Sequence, residues 1–218
     1  MTNSAAIRAY WDAAADEFDA EPDHGLRDDA TRQAWAERLA SWLPGTAADV
    51  LDAGCGTGSL SCLMACAGHR VTGVDLAPRM VGRARAKLAA AGLAGRFLVG
   101  DAAAPPTGDA RFDVVLSRHL VWTLPDPGAA LREWTGRLRA GGTLILVEGR
   151  WREAGQSGQP YVAGAGTLPW HRGVAADELA AAVRPLVAGL RVEDLGHDAR
   201  LWGRAVDDER YALIARVG

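Results

Sequence analysis

The sequence of 218 residues has no excess of positive charge. Its 24 lysine and arginine residues stand against 27 aspartate and glutamate residues, which gives a formal net charge of -3 and a pI of about 6.0. Nucleic-acid backbones are attracted by clustered positive charge, and the summed charge of this chain offers no such attraction. The composition therefore argues against a nucleic-acid partner.

Long apolar runs are missing as well. Arg, Asp and Gly residues interrupt the alanine-rich stretches, so no segment approaches the roughly 20 apolar residues that a membrane-spanning helix requires. The opening stretch, MTNSAAIRAYWDAAADEF, has acidic residues where a signal peptide has its apolar core. We therefore expect no membrane partner and a cytoplasmic location.

Cysteine is scarce. Cys55, Cys62 and Cys66 are an odd number of thiols within one short stretch, which is a poor framework for disulfides. Their spacing matches neither paired zinc knuckles nor an iron–sulfur motif, so no metal site is predicted. Cys62 and Cys66 lie one helical turn apart and are interpreted as small apolar side chains.

Between Asp49 and Glu148, short apolar runs alternate with longer helical patterns, as is typical of a parallel sheet covered by helices on both faces. Gly commonly ends a helix, and the stretch RAGG is predicted to end the last helix of this region. The predicted strands are Asp49–Asp52, Arg70–Asp75, Phe97–Gly100, Phe112–Leu116, Thr143–Glu148, Arg191–Leu195 and Tyr211–Val217. The predicted helices between and after them are Ser59–Ala67, Pro78–Ala91, Gly128–Leu138 and Ala175–Leu186.

We expect one domain with four parts. Residues 1–46 form a helical cap, with helices near Ser4–Phe18 and Arg27–Leu43, and residues 47–149 form the core. Residues 150–173 are rich in Gly, Gln and Pro and are long for a loop without a role, so they are interpreted as a lid. Residues 174–218 supply the last helix and strands.

The stretch LDAGCGTGSL, residues 51–60, follows the first predicted strand. Gly54, Gly56 and Gly58 have the spacing G-x-G-x-G, whereas the dinucleotide fingerprint G-x-G-x-x-G requires glycine where Ser59 stands. A strand, a glycine-rich turn and a helix place free backbone N–H groups and the positive helix end at the carboxyl edge of the sheet. A ligand with acceptor atoms or negative charge is therefore expected there.

With Asp52 two residues before the first glycine, this stretch resembles the first motif of the class I S-adenosylmethionine-dependent methyltransferases. Later stretches resemble the family in the same order: VTGVDLAPRM carries Asp75 after the second strand, and FLVGDAAAPP carries Asp101 and Ala102 after the third. The stretch FDVVLSRHLVWTLPDPGAALREWTGRLRAGGTLIL resembles the fourth strand, its helix and the glycine turn into the fifth strand. The resemblance covers roughly residues 50–148.

The resemblance implies a Rossmann-like, doubly wound α/β sheet of seven strands, mostly parallel with one antiparallel C-terminal strand. It also implies an enzyme that uses S-adenosyl-L-methionine and releases S-adenosyl-L-homocysteine. By this resemblance, Asp75 would accept hydrogen bonds from the two ribose hydroxyls of the cofactor, and Asp52 would face its methionine amine. Backbone N–H groups of the glycine-rich loop would bind the methionine carboxylate. The cofactor-binding residues implied are Tyr10, Asp52, Gly54, Cys55, Gly56, Gly58, Asp75, Leu76, Met80, Asp101, Ala102 and Ser117.

The acceptor is expected beyond the carboxyl ends of the strands, near the residues that follow the fourth strand. The sequence SRH there lacks the [D/N/S]-P-P-[Y/F/W] motif of nucleobase-amine methyltransferases and the metal-binding acid of the catechol type. Aromatic rings suit a sulfonium and a flat or amine-bearing acceptor. The predicted acceptor-binding residues are Trp11, Trp122, Trp151 and Trp170.

His24 and His119 are the histidines predicted beside the transferred methyl group. Near neutral pH an imidazole accepts a proton from a hydroxyl or ammonium group, so either residue is a candidate general base. The expected reaction is methyl transfer to oxygen or nitrogen, and in second place sulfur or carbon, of a small molecule in a bacterium. Two alternatives stay open: a nucleotide-linked dehydrogenase and a catalytically silent cofactor-binding subunit. The chain is expected to be a monomer or a homodimer.

Overall fold

A computed structural model of the protein describes residues 4–150, 162 and 164–218. Its seven strands form one sheet in the order β3-β2-β1-β4-β5-β7-β6. Neighbours among β1 to β5 pair in parallel, while β7 is antiparallel to both β5 and β6, which confirms the predicted sheet. The strands are β1 Asp49–Ala53, β2 Arg70–Asp75, β3 Arg96–Val99, β4 Phe112–Arg118, β5 Leu138–Arg150, β6 Gly189–Asp194 and β7 Glu209–Arg216.

Local signals explain where several helices begin. Asp28 accepts a hydrogen bond from the Thr31 backbone N–H, and Asp126 caps a later helix in the same way through the N–H of Ala129. Three helices begin with proline, whose missing N–H costs nothing in the first turn. The helices are α1 Ser4–Ala14, α2 Pro22–Gly25, α3 Asp29–Trp42, α4 Ser59–Cys66, α5 Pro78–Ala90, α6 Pro127–Gly136, α7 Ala176–Val183 and α8 Ala199–Trp202. Among the described residues no helix combines the length and apolar character that a bilayer crossing requires.

The sheet is buried on both faces because successive side chains of its central strands point to opposite sides. One apolar cluster contains Leu51, and the other contains its neighbour Val50. Each cluster includes a fully buried tryptophan whose indole N–H is satisfied: Trp134 donates to the Ala102 carbonyl and Trp35 to the Leu201 carbonyl, both at 2.7 Å. The two layers hold the carboxyl ends of the strands in a fixed relation to each other.

The prediction for the start of β5 was wrong. The stretch RAGG does not end a helix: α6 ends at Gly136, and β5 already begins at Leu138. Leu138 pairs with Phe112 of β4, and its side chain is buried. The pairing with Phe112 and the burial of Leu138 therefore start the strand before the two glycines, although the glycines locally favour a turn. The pairing register between β4 and β5 shifts between Phe112 and Val114.

The cap also differs from its prediction. Helix α1 ends at Ala14, four residues before the predicted end, and a short 3-10 turn at Phe18–Ala20 and the short helix α2 follow. Helix α8 was not predicted. Residues 151–161 and 163, half of the predicted lid, lie outside the described residues, so the division into four parts stays a prediction.

Gly58 brings α4 close to α5. A Cβ atom on Gly58 would lie 2.7 Å from the Cβ of Ala84 in α5, and the φ angle of Gly58 is +78°. Both the contact and the backbone conformation exclude a larger residue. Gly92 has a similar φ of +67°, yet nothing lies within 4 Å of its hypothetical Cβ.

We predict that Gly58→Ala destabilises the fold more than Gly92→Ala. The left-handed backbone costs each variant about 1–2 kcal/mol. Overpacking against Ala84 adds about 1–3 kcal/mol to the Gly58 variant alone. Denaturant unfolding measures both values, and the added Ala84→Gly substitution should recover part of the Gly58 loss. Equal losses in the two single variants would contradict the proposed packing.

Candidate active site

The glycine loop, residues 54–58, turns the chain from β1 into α4. Gly54, Gly56 and Gly58 have φ angles of +77°, +52° and +78°, a region that residues with a Cβ rarely adopt. The backbone N–H groups of Gly54 and Cys55 both donate to the Val74 carbonyl of β2, at 2.8 and 3.0 Å. The loop is thus fixed to the neighbouring strand at the carboxyl edge of the sheet.

Asp75, the last residue of β2, binds the glycine loop through its side chain. One carboxylate oxygen accepts the N–H of Gly56 and the other accepts the N–H of Ala77, each at 2.9 Å. Burial raises the pKa of Asp75, while these two hydrogen bonds act in the opposite direction. Each carboxylate oxygen keeps acceptor capacity for a further donor.

Asp52, in β1, is buried beneath the same loop. Its carboxylate accepts a hydrogen bond of 2.5 Å from the Ser61 hydroxyl of α4. Burial raises the pKa of Asp52 to about 6, against the opposing effects of the Ser61 hydrogen bond and the positive charge of Arg118. This carboxyl is therefore partly protonated in mildly acidic solution.

A cavity of about 610 Å³ opens at the carboxyl ends of β1, β2 and β4. Such a volume is typical of sites for small organic ligands. The cavity brings together most of the residues predicted from the sequence. Those that line it are Trp11, His24, Asp52, Gly54, Cys55, Gly56, Asp75, Leu76, Met80, Asp101, Ala102, His119 and Trp122.

Several predicted residues do not line this cavity. Tyr10 is 40% exposed and contacts the edge of Trp11. Gly58 packs against α5 as described above, and Ser117 is buried within β4 between neighbouring strands. The Trp170 indole donates instead to the Glu178 carboxylate of α7, at 2.7 Å. Trp151 lies outside the described residues.

Aromatic rings from two parts of the chain form one wall of the cavity. Trp11 of α1 makes edge contacts with Phe18 and with Trp122, with ring centroids 6.1 and 6.5 Å apart. Phe18 stacks on the imidazole of His24, with centroids 4.2 Å apart. This wall presents flat apolar surface beside an ionisable group.

The two predicted histidines meet at one carboxylate that the sequence analysis did not identify. Nε2 of His24 and Nε2 of His119 each lie 3.8 Å from the same oxygen of Asp23. Arg118 donates to the Asp23 backbone carbonyl at 2.6 Å, and its guanidinium lies 4.9 Å from the centre of the Trp35 ring. The cluster joins α2 to the end of β4.

The charges of this cluster are set by burial and by mutual attraction. Burial lowers the pKa of His119 to about 4, and Arg118 acts in the same direction, while Asp23 opposes them. Burial lowers the pKa of His24 as well. For Asp23, burial acts to raise the pKa, but His119, Arg118 and His24 outweigh it and the net pKa is lowered. At pH 7 the cluster therefore has a charged carboxylate between two neutral imidazoles.

Opposite charges clasp the N-terminal segment, residues 4–28, onto α5. Lys87, the only lysine in the sequence, lies 3.0 Å from the Asp19 carboxylate and donates to the Ser59 hydroxyl at 2.6 Å. Asp16 pairs with two arginines of α5, and Asp12 accepts a backbone N–H at the start of that helix. We call this set the clasp; its members are Asp12, Asp16, Asp19, Arg79, Arg83 and Lys87.

Asp23, Arg118, Lys87 and Glu148 were missed by the sequence analysis. Arg118 is the central residue of the SRH stretch, and Asp23 directly precedes the predicted His24, so the sequence placed both beside predicted site residues. Lys87 is unusual because it is the one lysine among 24 basic residues, the other 23 being arginines. Glu148 offered its place at the end of a predicted buried strand.

The central part of the chain is similar to proteins of known function. Residues 51–146 match a family model described as a methyltransferase domain. This part of the chain is similar to a methyltransferase domain. The family resemblance predicted from the four motifs is thereby confirmed.

Two curated relatives of this chain are O-methyltransferases. A malonyl-[acyl-carrier protein] O-methyltransferase of Serratia marcescens is 35% identical over 163 residues, which are 72% of this chain and 59% of the relative. A ubiquinone biosynthesis O-methyltransferase of Xanthomonas axonopodis pv. citri is 34% identical over 146 residues, 66% of this chain and 57% of the relative. The chain thus spans less than two-thirds of the length of either relative.

A solved structure has the same fold as the described residues. Magnesium protoporphyrin IX methyltransferase from Synechocystis PCC 6803 with bound S-adenosylmethionine superposes with a TM-score of 0.69. The superposition covers 100% of this chain and 98% of the other at 17% sequence identity. The predicted Rossmann-like architecture is therefore confirmed.

We predict that Lys87→Met loosens the N-terminal segment, because Asp19 and Ser59 lose a half-buried charged partner. Cleavage by a glutamate-specific protease at Glu17 should become about tenfold faster, since such cleavage follows local opening. Arg85→Met is the matched control: Arg85 lies on the same helix but donates to the Phe97 carbonyl and not to the clasp. Equal cleavage rates for the two variants would refute the clasp.

Proposed function

We propose that this protein transfers the methyl group of S-adenosyl-L-methionine to oxygen or nitrogen of a small molecule, and releases S-adenosyl-L-homocysteine. The single observation that carries the proposal is the composition of the cavity. The glycine loop and three carboxylates at or near strand ends line it together with aromatic rings and two imidazoles, and Phe18 lies 3.5 Å from a Cβ placed on Gly56. We propose that the loop and the carboxylates form a cofactor end, that the rings and imidazoles form an acceptor end, and that the two meet where Phe18 lies against the loop.

The residues of the first end fit the cofactor. Asp75 keeps acceptor capacity on both oxygens for the ribose hydroxyls, and Asp101 and Ala102 line the cavity where the family holds adenine. Asp52 would face the methionine amine. Gly54 is required by packing, because a Cβ there would lie 2.9 Å from the Leu120 side chain. When bound, the sulfonium supplies an activated methyl group.

The protein then has two tasks, alignment and proton removal. Alignment of two reactants in a closed cavity is worth about 7–11 kcal/mol of the barrier. A general base adds about 10²–10⁴-fold. We propose that the aromatic wall orients the acceptor and that His119 or His24 accepts its proton, while the Asp23 carboxylate stabilises the imidazolium that forms. A neutral imidazole beside a charged carboxylate suits this role at pH 7.

The acceptor class follows from the wall that would hold it. Trp11, Phe18 and Trp122 suit a flat or amine-bearing molecule of drug size. The names of the two relatives, with malonyl-[acyl-carrier protein] and ubiquinone biosynthesis, support oxygen as the methylated atom. We propose Trp151 and Trp170 as further acceptor contacts only if residues 150–173 close over the cavity as a lid. We further propose a cytoplasmic bacterial protein, monomeric or homodimeric, without a nucleic-acid partner.

The test incubates the protein with S-adenosylmethionine labelled in its methyl group and with a panel of phenols, carboxylic acids, amines and thiols. Transfer of label to a phenol or an amine is expected. Calorimetry with S-adenosylhomocysteine and with NADH separates the alternatives. Binding of S-adenosylhomocysteine without transfer to any acceptor favours the silent subunit, and binding of NADH alone favours the dehydrogenase.

Asp75→Ala is the variant that probes the cofactor end. We predict that it weakens S-adenosylhomocysteine binding by about 1.5–3 kcal/mol, because a charged acceptor for two hydroxyls is lost. Asp75→Asn keeps one carbonyl oxygen and should lose less. An Asp75→Ala variant that folds and binds with an unchanged Kd would contradict the assignment.

Asp23→Asn probes the acceptor end. Loss of the carboxylate lowers the pKa of the nearby histidines further, so the acid limb of the kcat profile should move to lower pH. At pH 7, kcat should fall about tenfold, because the base is weaker and its imidazolium has lost its partner. Asp29→Asn makes the same charge change on a side chain that is 91% exposed and serves as control. Coincident pH profiles for the two variants would remove Asp23 from the mechanism.

A further inference from the structure

Glu148 is a buried carboxyl that the proposed mechanism does not use. It lies near the end of β5, its residue is 0% exposed, and it does not line the cavity. Burying a carboxyl in apolar surroundings costs free energy unless its oxygens gain hydrogen bonds. Oε1 has such bonds, while Oε2 has no hydrogen-bond partner among the described residues.

Both bonds come from the loop after β4. The backbone N–H groups of Leu120 and Val121 donate to the same Glu148 oxygen, at 2.9 and 3.0 Å. One residue earlier, His119 has a φ of +56° and still donates its N–H to the Val147 carbonyl of β5, at 3.0 Å. Strand pairing therefore ends at His119, and the next two N–H groups are satisfied by a side chain.

This loop carries groups into the cavity. Leu120 lies against the glycine loop, because a Cβ on Gly54 would meet its methyl groups at 2.9 and 3.1 Å. Trp122 belongs to the aromatic wall, and its indole N–H donates to the His119 carbonyl at 2.8 Å. The position of the loop thus fixes one contact at each end of the cavity.

We propose that Glu148 is a positioning residue that holds the loop after β4, and through it Leu120 and Trp122, at the junction of the two ends of the cavity. The proposal rests on the proposed function only in treating this cavity as the site of methyl transfer. Without Glu148, two buried N–H groups would lack a partner, and the loop would move to find one.

Glutamine and leucine separate hydrogen bonding from shape at this position. Burial raises the pKa of Glu148 to about 8, against the two N–H bonds, so the carboxyl is protonated at neutral pH and Glu148→Gln keeps an uncharged side chain with one accepting oxygen. Glu148→Leu keeps much of the volume but offers no acceptor. Leu146→Ala, on the same strand and equally buried, weakens β5 but leaves the Glu148 oxygens in place.

The experiment measures amide hydrogen exchange on the ligand-free protein, residue by residue. In Glu148→Leu, exchange at Leu120 and Val121 should become about tenfold faster or more, as expected for loss of a buried hydrogen bond. The His119 amide, bonded to the Val147 backbone, should keep its protection. Glu148→Gln should match the wild type at all three amides, and Leu146→Ala should not single out Leu120 and Val121.

Binding of S-adenosylhomocysteine gives a second measurement. The Kd should rise in Glu148→Leu and return to the wild-type value in Glu148→Gln. If the leucine variant does not fold, Glu148→Asp, whose shorter side chain withdraws the acceptor, replaces it. Unchanged exchange at Leu120 and Val121 in a folded leucine or aspartate variant overturns the proposal, as does equal loss in the glutamine variant. Because exchange is measured without cofactor, a failure of methyl transfer leaves this result distinct.

Discussion

The site depends on the hydrogen bonds between Asp75 and the glycine loop. Two backbone N–H groups, those of Gly56 and Ala77, meet the two oxygens of one carboxylate at the end of β2. The bonds require the left-handed backbone that only glycine adopts without strain at three alternate positions. Two adjacent strands, a loop and the start of a helix are joined in this way, so the loop is held in place before any ligand arrives.

Buried charge is the second constraint on the cavity. Three ionisable groups line it: Asp23, Asp52 and Arg118. Each lies near an oppositely charged or hydrogen-bonding partner, which offsets part of the free-energy cost of removing the charge from water. The imidazoles of His24 and His119 are neutral at pH 7, because burial disfavours their protonated forms and the positive charge of Arg118 acts in the same direction. The same burial that excludes water thus decides which groups accept a proton.

The fold and the cofactor end were predictable because their signals are local. Glycine spacing and acids at strand ends are read within ten residues, and the structure places Gly54, Gly56, Asp75 and Asp101 around one cavity as their order indicated. The acceptor end depends on contacts between distant segments. Asp23 becomes notable only because α2 meets the end of β4, and no periodic pattern marks that meeting.

Packing explains the other differences from prediction. Ser117 follows the other cofactor motifs in the predicted order. However, side chains alternate between the two faces of the sheet along β4, and the Ser117 side chain points to a covered face. Trp170 finds a carboxylate partner on α7, which no local signal indicates. Strand β5 begins at Leu138 because Leu138 pairs with Phe112 of β4. The sequence did not predict this pairing, because Gly141 and Gly142 follow Leu138 and are typical of a turn.

The aromatic wall has a consequence for how this architecture diversifies. Trp11, Phe18 and His24 belong to the N-terminal segment, which lies wholly outside residues 51–146, the stretch shared with the family model. Trp122 and His119 lie inside that stretch, so the surface around the cavity is assembled from both parts of the chain. Substitutions accumulating in the N-terminal segment would therefore reshape one side of the cavity while Trp122 and the glycine loop keep their sequence.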